Sequence, residues 1–241
     1  MQLFYAPDIL QNKFVLNEEE SKHCIQVLRH RQDDEINLTD GKGGLYTARI
    51  TDANVRKCMY TIVDAQPNYH KPAYQLLIAV APTKNVARFE WFLEKATEIG
   101  ATDIVPLITQ RTERQNLRTD RLEKILVSAM KQCITAYLPT LHPATTFKQL
   151  MGNTHLLQQY PLRYLPHLND DAQNPSQHLK NAYTPGNNAM LLIGPEGDFT
   201  PDEVKTALDK QFIPITLGKS RLRTETAAIV CCHAIRFMNE Q

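Results

Sequence analysis

Ala189-Met190-Leu191-Leu192-Ile193-Gly194-Pro195-Glu196-Gly197-Asp198-Phe199-Thr200-Pro201-Asp202-Glu203 carries the clearest fold signal in the chain. Five apolar residues without a polar interruption suit a central strand covered on both faces. Gly194 and Gly197 then open a loop, and Thr200 to Glu203 form a capping box with proline at the first helical position. The pattern repeats further on. Ile213 to Leu217 reads as a strand, Gly218-Lys219-Ser220-Arg221-Leu222-Arg223 as a loop, and Thr224 as the cap of a last helix with Glu225 in its first turn. Two strand–loop–helix units in succession predict an α/β domain whose loops emerge side by side at one end of a parallel sheet, where such sheets bind ligands. The last helix continues Ala227-Ala228-Ile229-Val230-Cys231-Cys232-His233-Ala234-Ile235, apolar on every side, which predicts burial all round.

Upstream, strand and helix also alternate. Segment 75–81 reads as a strand leading to a helix over 88–99, where Phe89, Phe92, Leu93, Ala96 and Ile99 share a face and Gly100 is the stop. Segment 103–108 is the next strand. Thr119 is expected to cap a helix through about Tyr137, with Leu122, Ile125, Leu126, Ala129 and Cys133 buried. Segment 154–158 reads as a weaker strand, and 169–188 is polar, with one short helix over 176–182. Residues 1 to about 70 differ: short strands at 2–5, 13–16, 35–39, 45–51 and 59–63 surround a single helix capped by Asn17, with Cys24, Val27 and Leu28 on one face. Such a unit predicts a small barrel. Gln66-Pro67-Asn68-Tyr69-His70-Lys71-Pro72 reads as the linker, dividing the chain into domains 1–70 and 73–241.

Composition bounds the function. With 42% apolar and 22% charged residues in 241, the chain reads as a folded protein, and no apolar run approaches a membrane-spanning length. Its start lacks a basic segment followed by an apolar core, so no leader and a cytoplasmic location are expected. Five cysteines without a C-x-x-C pair read as buried small hydrophobes, and eight histidines lack metal-ligand spacing, so no metal is expected. Lys and Arg total 27 against 26 Asp and Glu, so any nucleic-acid contact must come from local clusters. Arg29 and Arg31 follow the N-terminal helix, and Arg111, Arg114, Arg118, Arg121, Lys124 and Lys131 outnumber the acids around them. Each cluster also reads as a solvated face.

The glycine loop is neither a P-loop nor G-x-G-x-x-G. Its glycines allow close backbone approach, and backbone amides there can read a planar polar group such as an adenine edge. Alone, Gly-Pro-Glu-Gly also reads as a tight turn, and Lys219, Arg221 and Arg223 as surface charge. Adjacent, they form a ligand wall beside a phosphate contact.

Four ordered motifs carry a family resemblance: His23-x-x-x-Val27-Leu28-Arg29, Lys95-Ala96-Thr97-Glu98-Ile99-Gly100, the Gly194-Pro195-Glu196-Gly197 loop with Phe199, and Leu217-Gly218 followed by Leu222-Arg223-Thr224-Glu225-Thr226-Ala227. Over nearly its whole length the chain resembles RsmE-type 16S rRNA (uracil-N3)-methyltransferases of the SPOUT superfamily. That resemblance implies a PUA-like RNA-binding barrel, an α/β domain with a trefoil knot, a homodimer, S-adenosylmethionine as cofactor and 16S rRNA or the small subunit as partner. It places cofactor contacts at Leu192, Ile193, Gly194, Glu196, Gly197, Leu217, Gly218 and Leu222. Two departures stand out: Asp198 occupies a common glycine position, and Gln132-Cys133-Ile134-Thr135-Ala136 lacks the basic residue of a Gln-Ser-x-Arg segment.

Uridine N3 begins protonated, so methylation there gains from an acceptor for the proton or a cation for the developing anion. Arg223 is the candidate cation and Glu225 the candidate base or positioner. Glu225 also reads as a carboxylate favoured by the helix dipole, and Glu196 as a brace of its own loop. Arg29, Arg31, Arg111, Arg114, Arg118 and Arg221 are the expected RNA contacts. The alternatives are an RNA-binding protein of this fold without catalysis, and a SPOUT methyltransferase with another RNA target.

Overall fold

The computed structural model describes residues 1–167 and 175–240. Its contacts divide it into two compact units, Met1–Lys71 with Val127–Leu138, and Pro72–Leu126 with Pro139–Gln241. The first unit therefore takes in a segment from the middle of the chain.

In the first unit, β1 (Leu3–Tyr5) is followed by a 3-10 turn, then α1 (Glu18–Lys22), β2 (Glu35–Thr39), β3 (Leu45–Asp52) and β4 (Met59–Gln66). The sheet order is β1-β2-β3-β4, with β1 and β2 parallel and the other pairs antiparallel. Phe4, Leu16, Ile36, Leu38, Ala48, Ile50 and Tyr60 fill the core. Asp40 builds the β2–β3 turn, its Oδ1 accepting from Lys42 N at 2.7 Å and Gly44 N at 3.0 Å. The Val127–Leu138 segment attaches through Gly43 N donating to Ala136 O at 2.9 Å and a buried Lys131–Glu20 ion pair at 2.5 Å.

Three local readings change in this unit. Segment 13–16 makes only an isolated bridge, Val15 to Met59. Asn17 does cap α1, accepting from Glu20 N, but the helix passes at once into a π turn over His23–Val27. A π turn advances fewer degrees per residue than an α-helix, so the expected face breaks: Cys24 is buried, whereas Val27 and Leu28 are exposed.

The second unit contains β5 (Leu76–Val80), α2 (Val86–Ile99), β6 (Asp103–Ile108), the start of α3 (Thr119–Gln132), β7 (Thr140–Leu141), β8 (Thr145–Thr146), α4 (Phe147–Gly152) and α5 (Thr154–Gln159). It continues with β9 (Leu162–Pro166), β10 (Gln177–His178), α6 (Leu179–Ala182), β11 (Ala189–Ile193), α7 (Pro201–Asp209), β12 (Ile213–Thr216) and α8 (Thr224–Asn239). The sheet order is β10-β12-β9-β11-β5-β6-β7, with β8 also on β6, and every pairing is parallel. β5 and β11 are buried at every residue, as uninterrupted apolar runs at a sheet centre require.

Segment 154–158 is helical rather than extended, because Asn153 accepts from Leu156 N and starts α5; the strand lies just beyond, at β9. α3 stops at Gln132, short of Tyr137, and Ile134 turns left-handed with φ 56°. The short helix is α6, and residues 169–174 of the polar stretch lie outside the described residues. α8 is not buried all round. Ala228, Cys231, Cys232 and Ile235 form its buried face, while Val230 and Phe237 are exposed. No described helix is long and apolar enough to cross a membrane.

Candidate functional site

The carboxyl ends of β9, β11 and β12 open into one cavity of about 420 Å³, within the range of small-ligand sites. The loops after β11 and β12 form two walls, but those strands are not neighbours: β9 lies between them and brings Pro166 and His167 to the floor. Thr224 joins the walls. The N-cap of α8 is Arg223, without a side-chain bond, and the Thr224 hydroxyl instead donates to Gly194 O at 3.0 Å. A latch thus stands where a helix cap was expected.

The glycine loop is braced from behind. A Cβ at Gly194 would sit 3.1 Å from the Phe199 ring, which is itself in the core, so only glycine fits without displacement. Glu196 Oε1 accepts from Lys84 N at 3.1 Å. Arg111 donates through Nη1 to Gly197 O at 2.6 Å and Phe199 O at 3.4 Å. Gln110 N donates at 2.9 Å to Glu203, the same residue whose carboxylate closes the capping box of α7. Asp198 adopts the left-handed conformation, φ 61°, which Asp tolerates better than most residues. Its Oδ1 accepts from Phe199 N at 2.8 Å and its Oδ2 lies 3.1 Å from His167 Nδ1. The aspartate therefore supplies a loop bond, to Phe199 N, that glycine could not.

Of the expected ligand residues, Ile193, Gly194, Glu196, Leu217, Gly218, Leu222, Arg221 and Arg223 line the cavity. Leu192 is fully buried in β11, and Gly197 faces Arg111 instead. Glu225 is also outside the lining: it is buried in the first turn of α8, with Arg88 Nε 3.8 Å away. A base must reach the proton it removes, and this geometry gives Glu225 a charge partner rather than an open face. Arg88, from the first turn of α2, does line the cavity and was not singled out from sequence. The readable signal was its position, since a cation at a helix N-terminus opposes the helix dipole.

The basic loop before α3 is largely paired. Lys84 meets Glu113 at 3.0 Å, Arg118 meets Asp120 at 3.1 Å, Arg121 meets Glu90 at 2.6 Å, and Arg114 Nε donates to Lys84 O at 3.2 Å. Arg29 and Arg31 are exposed on the first unit, Arg29 with φ 61°. No described group of three or more His, Cys, Asp or Glu could hold a metal ion.

The lining suits an adenosyl amino acid. Ile193, Ile215, Leu217 and Leu222 offer apolar surface for a base ring and a sulfur, and charged groups stand at the margins. Gly218, at φ 114° with open space around its Cβ position, turns the second wall beside them.

This architecture and site define an RNA methyltransferase: residues 70–236 match the model of an RNA methyltransferase domain, and 16–58 that of an RNA methyltransferase PUA domain. The second unit has the α/β methyltransferase fold, and the first is PUA-like. The chain belongs to the family whose curated members are named ribosomal RNA small subunit methyltransferase E. The member from Synechocystis is 30% identical over 99% of this chain and 78% of its own length. A solved structure of a probable rRNA-methyltransferase from Porphyromonas gingivalis is 36% identical, with a TM-score of 0.91 and coverage of 100% and 99% of the two chains. A ribosomal RNA small subunit methyltransferase E from Neisseria gonorrhoeae, solved bound to S-adenosyl methionine, is 26% identical with a TM-score of 0.84, covering 99% of this chain and 98% of that one.

Proposed function

We propose that this chain transfers a methyl group from S-adenosylmethionine to N3 of a uridine in the 16S rRNA of the small ribosomal subunit. The observation that carries the reading is the latched pair of loops over a 420 Å³ cavity in a chain of this family. When bound, S-adenosylmethionine supplies an electrophilic methyl whose bond to sulfur breaks, the pair returning to sulfur, as N3 bonds to the carbon. The residues contribute position, exclusion of water and charge. Gly194, Glu196, Leu217, Gly218 and Leu222 hold the cofactor, with Ile193 under it, while Leu192 supports them from the core and Gly197, exposed and bonded to Arg111, holds the loop's shape. Arg223 is exposed at the cavity, and no described group pairs with it, so it is free to stabilise the uracil. Arg221, Arg114, Arg118, Arg29 and Arg31 meet phosphates, while Arg111, also expected from sequence to do so, braces the glycine loop.

The division of labour follows the sequence division: 1–70 binds RNA as a closed barrel, which the Val15–Met59 bridge supports, and 73–241 carries the chemistry. A trefoil knot in the second domain is supported by the chain's return from β12, past β9 and β11, to lay α8 against α2 and β5. A cytoplasmic homodimer is the working form; exposed Trp91, Val230 and Phe237 on the packed helices α2 and α8 are the apolar surface that a second copy covers. Mass mapping of small-subunit rRNA nucleosides from cells with and without the protein tests the reaction. Loss of one 3-methyluridine is expected, and an unchanged map refutes it. Calorimetry with S-adenosylmethionine separates the enzyme from a catalytically silent RNA binder.

A further inference from the structure

Glu225 is a carboxylate in the wrong place for a base and in an expensive place for a surface charge. Its side chain is 7% exposed, whereas that of Arg88, which faces it, is 41% exposed and lines the cavity. A buried carboxylate is tolerated when a cation accompanies it. Arg88 in turn sits in the first turn of α2, where the helix dipole disfavours positive charge, so α2 itself gains nothing from it. Glu225 has the N-terminal dipole of α8 in its favour and burial against it, whereas Arg88 has the dipole of α2 against it, and the pairing explains why a cation stands there. Arg88 approaches Glu225 through Nε, and no described group accepts a hydrogen bond from its guanidinium.

The cavity around Arg88 is built for negative charge. The N-terminus of α8 opens onto it through Thr224 and Ala227, and Arg221 and Arg223 stand on its second wall. Its acids already accept from backbone: Glu196 from Lys84 N, and Asp198 from Phe199 N. When N3 of uracil gives its proton to solvent water, negative charge spreads over N3 and the two flanking carbonyl oxygens. A fixed cation assists that step more than a mobile one, because it needs no reorganisation as charge develops. Arg223 is exposed and has no described charge partner; Arg88 has the buried Glu225 carboxylate 3.8 Å away.

We propose that Arg88 is a second cation of the uracil site, meeting the anion formed at N3, and that Glu225 is a positioning residue that holds Arg88 in place. The proposal rests on the uridine-N3 reading, and its test separates the two. Wild type, Arg88→Ala, Arg88→Lys, Glu225→Gln and the Arg88→Ala/Glu225→Gln double variant are assayed on small subunits reconstituted with uridine-containing or 5-fluorouridine-containing 16S rRNA. S-adenosylmethionine affinity is measured separately by calorimetry. Arg88→Ala is expected to keep that affinity within about twofold and lose about 100-fold in kcat, the usual effect of removing one donor to a developing oxyanion. Arg88→Lys recovers part of the loss. Glu225→Gln loses about tenfold and adds nothing to Arg88→Ala, as residues acting as a unit do. The fluorinated base, whose N3 is more acidic, shrinks the Arg88→Ala defect. An equal defect on both RNAs overturns the proposal, and so does a tenfold loss of cofactor affinity at unchanged kcat. If wild type forms no 3-methyluridine, the parent reading fails and takes the proposal with it.

Discussion

Replacing Thr224 by valine removes one hydroxyl while keeping the branched shape, and so tests whether the two loops work as one wall. The Thr224 hydroxyl donates to Gly194 O at 3.0 Å, and Thr224 is itself buried. A neutral hydrogen bond contributes about 0.5–1.5 kcal/mol net, and a buried carbonyl left without its donor costs about 1–3 kcal/mol. Gly194 is half-buried, so water can reach part of its surface and the lower end applies, about 1 to 1.5 kcal/mol. If the bond holds the loops in their binding geometry, the same energy must be restored on binding, which weakens S-adenosylmethionine affinity by roughly five- to tenfold. Calorimetry reads that number directly. Urea unfolding followed through Trp91, the single tryptophan and part of α2 in the second unit, reads the stability change separately. Thr224→Ser, which retains the hydroxyl, is the control and should bind within about twofold of wild type. If Thr224→Val also binds within twofold and its urea midpoint is unmoved, the latch does not organise the site.

At the opposite, amino-terminal end of β6, burial raises the Asp103 carboxyl pKa, but hydrogen bonds from His142, Thr102 and Tyr160 outweigh it and leave it below the usual carboxylate range. The resulting stabilisation is full above the unfolded value of about 4 and disappears as pH falls through the lower folded value, so Asp103→Asn should cost stability in urea at pH 6 and lose that deficit towards pH 2. Asp198→Ala should be less stable than Asp198→Gly by about 1 kcal/mol, because both lose the bond to Phe199 N but only alanine resists φ 61°; equal thermal midpoints would contradict the left-handed assignment. Arg114→Glu with Arg118→Glu should weaken rRNA binding and leave S-adenosylmethionine affinity unchanged, whereas Arg111→Gln, which loses the braces to Gly197 and Phe199, should weaken the cofactor about three- to tenfold. Filter binding and calorimetry on the same preparations decide whether the two kinds of arginine separate in this way.

What could be read from the sequence was local. Ala189 to Ile193 has no polar residue to place at a surface, Thr200 and Glu203 complete their box over three positions, and Asn17 needs only Glu20 N. Each signal is short-range, and each element formed where it was read. Positions set by tertiary arrangement were not readable. β9 enters between β11 and β12 through pairings to residues well separated in the chain, and the segment before it, 154–158, which reads as a strand, is turned helical by the cap at Asn153. The π turn after α1 leaves no composition signal, yet it puts Val27 and Leu28 in solvent. α8 looked buried all round because Ala and Cys make its inner face small while Val230 and Phe237 make its outer face apolar. Sequence alone does not distinguish a face packed in its own domain from one left for another molecule.

The same limit applies inside the site, where a motif lists residues without saying which way each one faces. Glu196, Gly197, Asp198, Thr224 and Glu225 all belong to or adjoin the signature loops, yet each directs a polar group to protein: to Lys84 N, to Arg111, to Phe199 N and His167, to Gly194 O and to Arg88. Arg221, Leu222 and Arg223 share those loops and line the cavity without such a bond, whereas Glu196, Asp198 and Thr224 both brace the loops and line it. The distinction has a physical origin. A loop that must present backbone and cations to a ligand cannot also rely on that ligand for its shape, so other polar groups must fix it before binding, and the residues best able to do so are its own neighbours. Substituting a bracing residue should therefore lower affinity through loss of preorganisation and be partly offset by any change that stiffens the loop. Substituting a cavity-facing cation removes an interaction that no stiffening restores. Arg88 lies outside both motifs but belongs with the second group, because it lines the cavity with Glu225 3.8 Å behind it and has no other described charge partner.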